Sequence, residues 1–160
     1  MENHSMAKED DQKRTVLSWS DWGTKQKRTI IVGGNKVVIQ ELDGHEYDEV
    51  RNLPKPVPPM EFKKGQDGKP ILKNGQAERE PNFQDPDYIR QLEEVEIART
   101  LKILEHGLVE PNGKEIPGKS VKEKWEFLKG GKAGDIDKIA LEIIRISNLL
   151  PGDVDFLNLS

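Results

Sequence analysis

Two short amphipathic helices near the end of the chain constrain the fold more than any other feature of the sequence. Ser120 and Glu123 have the S-x-x-E spacing of a capping box, in which each side chain accepts a hydrogen bond from a backbone amide at a helix start. Val121, Trp125 and Leu128 follow at steps of four and three, so they share one face of that helix. The pattern predicts a short helix with one apolar face.

A second helix with a longer apolar stripe is predicted after it. Gly130 is expected to end the first helix in the left-handed conformation, and Asp135 is expected to cap the second. The stripe of the second helix consists of Ile136, Ile139, Ala140, Ile143 and Ile144, and extends to Leu149 and Leu150. Pro151 and Gly152 stop it. Because each helix has an apolar face, it must pack against the rest of the chain or against a partner.

Residues 27–42 carry a clear β pattern. Two β-branched runs, at residues 29–32 and 36–40, flank Gly33-Gly34-Asn35. Glycines supply the positive φ that a tight hairpin turn requires, so the segment predicts a β-hairpin. From Asp43 onward the sequence predicts a short acidic helix.

A proline-rich insert precedes the longest predicted helix. Seven of the ten prolines lie between residues 53 and 86, and the second part of this segment predicts either a polar hairpin or a loose excursion. Residues 60–82 contain too few apolar side chains to offset roughly 1–2 kcal/mol of ordering entropy per residue, so we expect much of this segment to be mobile. Asp85 and Pro86 are typical of a helix start, and the helix is expected to end at Gly107.

These elements predict an α+β fold that is mainly α. We expect a disordered arm at residues 1–14, a β-hairpin with a short helix at 15–52, the proline-rich insert at 53–84 and a helical region at 85–160. Three helices in the last region are expected to form a small bundle that packs with residues 15–52 as one domain.

Two tryptophans, Trp19 and Trp22, precede the predicted hairpin. The favoured interpretation is that they anchor the N-terminal arm onto the core. The alternative is an exposed aromatic pair that contacts a partner.

The composition excludes several classes of partner and site. The net charge of −4 gives no electrostatic reason to expect binding to nucleic acid or to an anionic membrane. The chain has no cysteine, which rules out disulfides and thiolate metal sites. No apolar run approaches the roughly 20 residues of a membrane span. We therefore expect a soluble cytoplasmic protein.

The sequence contains no catalytic motif with the usual spacing, such as G-x-S-x-G, G-x-G-x-x-G or a histidine cluster. We expect a protein without enzymatic activity, catalytic residues, cofactor or metal. The enzymatic alternative places a metal at the acidic patch from His45 to Glu49, but its spacing is not H-E-x-x-H, so a solvated acidic helix is favoured.

Three stretches of sequence carry a family resemblance. They are VIQELDGHEYDEV at residues 38–50, EHGLVEPNGKE at residues 105–115, and the W-x-x-L, glycine hinge and EIIRISNLL of the C-terminal helices. In this order they resemble the tail assembly chaperones of long-tailed bacteriophages. That family typically ends the last helix at a left-handed glycine, where this chain has Asn148, the next best residue for that conformation.

The resemblance implies a protein that binds the tape measure protein and keeps it soluble until the tail tube protein polymerises around it. It also implies weak self-association and action in the host cytoplasm. We expect six residues to form the C-terminal helical core and part of the partner surface: Trp125, Leu128, Ile139, Ile143, Ile144 and Leu149. The alternative is a phage or host adaptor, connector or inhibitor that acts by protein–protein binding.

The resemblance further implies a longer product made by a −1 ribosomal frameshift. Phe156-Leu157-Asn158 can be encoded by UUU UUA AAC, which contains the slippery string U UUA AAC. Two internal sites, at residues 127–129 and 130–132, permit similar strings. We predict the terminal site, because slippage there preserves both C-terminal helices. The codons of residues 127–160 and the downstream −1 frame test this; no slippery string and an immediate stop would contradict it.

Overall fold

The computed structural model describes residues 18–149, which form a mixed α+β fold. In chain order the elements are β1 (Lys27–Val32), β2 (Asn35–Gln40), α1 (Gly44–Arg51), β3 (Met60–Phe62), β4 (Leu72–Lys73), β5 (Gln76–Ala77), β6 (Arg79–Pro81), α2 (Pro86–Gly107), β7 (Leu108–Glu110), a 3₁₀ helix (Gly113–Glu115), α3 (Val121–Lys129) and α4 (Ala133–Ile146). The α+β class is confirmed. The predicted arm at residues 1–14, the helix stop at 150–152 and the frameshift site at 156–158 lie outside the described residues. Across residues 18–149, no helix combines the length and the apolar character needed to cross a membrane.

The central sheet has the order β1-β2-β7, with both pairs antiparallel. β1 and β2 are joined through Gly33 and Gly34, whose φ angles of 57° and 81° favour glycine. β7 follows α2 directly and pairs with β2, with Ile39 opposite Leu108. No strand was predicted after the helix end at Gly107, so β7 is a correction. β7 has only two apolar residues, Leu108 and Val109, which is too short a run to predict a strand. It becomes recognisable only through its pairing with the distant strand β2.

Side chains from the sheet and from α1, α2 and α4 form one buried cluster. It consists of Val32, Val37, Ile39, Leu42, Val50, Ile103, Leu104, Leu108, Ile136, Ala140, Ile143, Ile144 and Ile146. α2 contacts α1, α4 and β2, and α4 also contacts both long strands. The long helices therefore pack on the sheet as well as on each other, and each fully buried aliphatic side chain contributes roughly 1.5–3 kcal/mol.

The first two helices begin at the predicted caps. The Glu46 amide donates to the Asp43 carboxylate at 2.9 Å, and the Asp43 amide donates to the Glu46 carboxylate at 3.0 Å, which completes a capping box. At the start of α2, the Tyr88 amide donates to the Asp85 carboxylate at 3.0 Å. Both helix starts are thus determined by residues that lie within one turn of each other.

The ends of α3 and the start of α4 differ in detail from the prediction. The Ser120 hydroxyl accepts from the Glu123 amide at 3.2 Å, but the Glu123 carboxylate accepts from the Lys119 amide at 2.7 Å, so the capping box is only half closed. Gly130 has a right-handed conformation, with φ of −66°, and not the expected left-handed one. α4 already begins at residue 133, so Asp135 lies in its first turn and is not its cap. The short glycine connection therefore needs neither special conformation nor a side-chain cap.

α4 ends at the predicted left-handed asparagine. Asn148 has φ of 58°, and the Leu149 amide donates to the Ile144 carbonyl at 3.2 Å, as in a Schellman motif. The Ser147 hydroxyl accepts from the Leu42 amide at 2.9 Å, which ties this helix end to the chain just after β2. The cap is therefore local, but its neighbour Ser147 makes a tertiary contact.

The insert contains regular structure, so its second part has the form of the polar hairpin, while the mobility of residues 60–82 stays a prediction. β3 pairs with β6 and β4 pairs with β5, both antiparallel, and we refer to residues 60–81 as the insert hairpin. Asn74 and Gly75 turn the inner pair with φ angles of 53° and 76°. Backbone hydrogen bonding and turn residues organise this segment, because no residue between Val50 and Arg99 is buried.

We predict that Gly107→Ala destabilises the fold. A Cβ at Gly107 would lie 2.4 Å from Cγ2 of Ile143, whose fully buried side chain has no room to move. Overpacking of this kind costs about 1–3 kcal/mol, measured by urea unfolding. Gly134→Ala is the control, because a Cβ there meets nothing within 4 Å, and it should leave stability unchanged or slightly raised. Equal stability of both variants would contradict the close contact.

Candidate partner-binding surface

The six predicted partner-binding residues divide into two groups in the structure. Ile143 and Ile144 are 0% and 1% exposed, so they belong to the core and are not available to a partner in this conformation. Four others are partly buried and pack against the core from its edge: Trp125, Leu128, Ile139 and Leu149. Their contribution to the core is as expected, and a role in a partner surface stays a prediction for these four.

α3 packs against α2 and α4 without burying any residue completely. Trp125 and Leu128 face the core, whereas Val121 and Phe127 remain 49% and 57% exposed. The helix therefore lies over the core but leaves apolar area of its own in solvent. Such area favours a contact with another protein.

A small groove separates α3 from the second half of α2. Its volume is about 170 Å³, and it is lined by Ala98, Leu101, Lys102, Glu105, Gly113, Ile116, Val121 and Lys124. Apolar and charged residues both line the groove, a combination that suits helix-in-groove recognition. Its volume is below the roughly 300–1,000 Å³ of small-molecule sites, so it suits one or two side chains of a docking helix.

Gly113 determines the shape of this groove. A Cβ at this position would lie 1.9 Å from the Leu104 carbonyl oxygen, so the 3₁₀ helix rests directly on the backbone of α2. Ile116, just beyond the 3₁₀ helix, packs against the core. No element was predicted at this position, because a close approach of two backbone segments leaves no periodic pattern in the sequence.

A cluster of charged residues joins α1 to α2 on another side of the molecule. His106 Nδ1 lies 3.0 Å from Glu46 Oε2, and His106 Nε2 lies 2.7 Å from Glu49 Oε2. Lys25 forms an ion pair with Glu46, and Lys102 Nζ lies 3.6 Å from Glu49 Oε2. Both ring nitrogens can donate at once only in the imidazolium form. The hydrogen bond from His106, with the nearby charge of Lys102, lowers the pKa of Glu49.

This cluster differs from the metal site considered for residues 45–49. Glu46 and Glu49 contact opposite nitrogens of the His106 ring, so the three groups do not converge on one point. Over the described range 18–149, no group of three or more His, Cys, Asp or Glu side chains is arranged to hold a metal ion. Sequence reasoning missed His106 as a partner because it lies 57 residues from Glu49.

The two tryptophans do not anchor the chain onto the core. Trp19 and Trp22 are 85% and 66% exposed, and their rings meet edge to face with centroids 5.7 Å apart. The favoured interpretation is therefore wrong, because each ring contacts the other in preference to the buried cluster. An open cavity of about 240 Å³ lies beside Trp22 and is bordered by Lys25 and Leu42. The exposed-pair alternative agrees with this geometry.

Comparisons with known protein families, curated proteins and solved structures found no match to this chain. Its function is therefore inferred from its own residues and their geometry.

We predict that Glu49→Gln weakens the fold at neutral pH and changes its acid sensitivity. A carboxyl group whose pKa is lowered by folding stabilises the folded state above its ordinary pKa of 4.5. That stability is lost as the pH falls through the lowered value. The variant should therefore have a lower Tm at pH 7, and the difference from the parent should shrink as the pH falls below 4.5.

The control for this prediction is Asp48→Asn. Asp48 is an exposed carboxylate on the same helix, and its side chain forms no ion pair with any of residues 18–149. The Tm of the Asp48→Asn variant should follow that of the parent protein across the same pH range. If Glu49→Gln behaved in the same way as this control, the His106 contact would contribute nothing to stability.

Proposed function

We propose that this chain is a non-enzymatic tail assembly chaperone of a long-tailed bacteriophage, which binds the tape measure protein in the host cytoplasm. The observation that carries the proposal is α3, an amphipathic helix that buries no residue completely and borders a groove with apolar walls and charged sides. The family resemblance of the sequence supports it independently. Binding of the tail tube protein, through a longer frameshifted product, is part of the same proposal.

The groove offers the contacts that an apolar helix needs. Leu101 and Val121 provide apolar walls, while Lys102, Glu105 and Lys124 provide charges at the sides. A tape measure protein is a long helical chain whose apolar stripes are exposed before the tube forms. One stripe residue inserted in this groove would be removed from water, and the charged side chains would set the orientation of the bound helix.

α3 is also the helix most easily displaced by a partner. Gly118, with φ of 135°, precedes it, and Gly130-Gly131 follows it. Because none of its residues is fully buried, moving it costs less than moving a core helix. Displacement would extend the apolar surface to Trp125 and Leu128, which accounts for their expected role in partner binding.

The second candidate is an adaptor, connector or inhibitor protein. The exposed Trp19–Trp22 pair favours it, because two adjacent aromatic rings in solvent suit a fixed protein contact. Gel filtration distinguishes the two functions. A connector should form a closed ring of constant size, whereas a chaperone should show an apparent mass that varies with concentration.

We predict that Val121→Asp reduces binding of the tape measure protein encoded by the same genome. Val121 is half exposed, so the variant should fold, but a carboxylate in the groove is poorly placed against an apolar helix. We expect about tenfold weaker co-purification after co-expression, equivalent to about 1.4 kcal/mol. Trp125→Ala should lower both co-purification and the stability of the chaperone.

The matched control is Lys122→Asp, which places the same side chain on the neighbouring, exposed position of α3. It should bind like the parent protein. Folded Val121→Asp and Trp125→Ala variants that bind at full strength would exclude this surface. A parent protein that neither binds the tape measure protein nor raises its soluble fraction would overturn the proposed function.

A further inference from the structure

The segment between Val50 and Arg99 is ordered but has no core. It contains four strands and the first half of α2, yet none of its residues is buried. The backbone of the insert hairpin is paired internally, for example from the Lys63 amide to the Glu78 carbonyl at 2.9 Å. A small hairpin without an apolar contact on one face is only marginally stable in water. A second surface packed on this segment would supply the apolar contact that the hairpin lacks.

Among residues 18–149, the exposed large apolar side chains are concentrated in this segment. Seven large ones lie within it: Val57, Met60, Phe62, Ile71, Leu72, Phe83 and Ile89. Local contacts cover only part of them: the Arg79 guanidinium lies over the Phe62 ring, at 4.8 Å from its centroid, and the Phe83 ring meets the Tyr88 ring edge to face with centroids 6.1 Å apart. Isolated exposed apolar residues are ordinary, but a concentration of this kind marks an interaction surface.

The tip of the insert hairpin is basic. Residues 63–73 contain four lysines and one aspartate. Lys63 lies 3.9 Å from Glu78 within the hairpin. Lys64, Lys69 and Lys73 form no ion pair within the described residues. The tip therefore presents positive charge beside the exposed side chains of Ile71 and Leu72.

The first half of α2 has the opposite charge. Residues 85–96 contain five acidic side chains and only Arg90 as a basic one. Arg90 pairs with Asp87 at 3.4 Å and with Glu94 at 3.9 Å. Burial raises the pKa of Glu96. The negative charges of Glu93 and Asp137 raise it further, whereas the positive charge of Arg99 lowers it. Negative charge is therefore in excess on this surface, next to the exposed Ile89.

We propose that the partner of this segment is a second copy of the chain. In the dimer, the tip of each insert hairpin docks on residues 85–96 of the other copy. Lysines then face glutamates, and Ile71 and Leu72 face Ile89. The arrangement is two-fold symmetric, because each copy supplies both complementary surfaces.

The dimer is independent of the proposed tape measure site. The groove beside α3 begins at Ala98, beyond the residues assigned to the dimer contact. Binding at one site can therefore be lost while binding at the other is retained, which separates failure of this proposal from failure of the proposed function.

Charge reversal in the full-length chain tests the contact. Sedimentation equilibrium should show a dimer whose affinity falls at least tenfold between about 50 and about 500 mM NaCl, because salt screens exposed charges. K64E/K69E/K73E should weaken self-association by tenfold or more, and so should E93K/E94K. An equimolar mixture of the two variants should restore it, since both docking contacts are then complementary again.

The control is K122E/K138E, which reverses two exposed lysines on α3 and α4 and should leave the dimer intact. Circular dichroism checks that every variant is folded. A parent chain that stays monomeric at all concentrations would overturn the proposal. A dimer that survives both charge reversals would also overturn it, because its interface would then lie elsewhere.

Disulfide trapping tests the same contact without reversing charge. The chain has no cysteine, so K69C/E93C introduces one cysteine on each side of the proposed contact. Oxidation should give a covalent dimer on a non-reducing gel, and K69C/K122C should give much less. Oxidation of K69C/E93C to a monomer with an internal disulfide would mean that the hairpin folds onto its own helix, which would overturn the proposal.

Discussion

The contact of Gly107 with Ile143 is the constraint on which the rest of the body depends. The missing side chain at the end of α2 lets α4 approach its backbone, with Ile143 in the space that a Cβ would occupy. Because α2 ends there, Leu108 enters the sheet at once and pairs beside Ile39. The two long helices and the sheet thereby share one core, which neither the helices nor the strands have enough apolar surface to form alone.

Burial divides the molecule into a body and an outlying segment. The core draws on residues 32–50 and 101–146, whereas everything between Val50 and Arg99 stays at least partly exposed. The exposed apolar side chains of the outlying segment, of the tryptophan pair and of Val121 and Phe127 on α3 contribute little to folding. They are free to serve binding, because substitutions there leave the core unchanged. This separation is what a protein acting through protein–protein contacts requires.

Charge has a structural role in the body and a different one in the outlying segment. His106 is enclosed by Glu46 and Glu49, which ties the acidic α1 to the end of α2. Within residues 18–149, no ion pair joins the lysines at the tip of the insert hairpin to the carboxylates of residues 85–96. Opposite charges that are already paired stabilise a fold, whereas opposite charges left apart on one chain favour association with another copy.

The sequence by itself determined the local elements of this protein. Four such features involve only groups that lie a few residues apart, so that they need no distant partner. They are the caps at Asp43 and Asp85, the glycine turn between β1 and β2, and the left-handed Asn148. The apolar face of α3 could be predicted in the same way, but the extent of its burial could not.

Only the tertiary structure decided which surfaces meet. The pairing of β7 with β2 and the burial of Ile143 and Ile144 away from any partner depend on residues far apart in the chain. The contact of His106 with Glu49 is of the same kind. Caps and turns are satisfied within one turn of the chain, whereas pairing, burial and groove shape depend on how separate elements pack together.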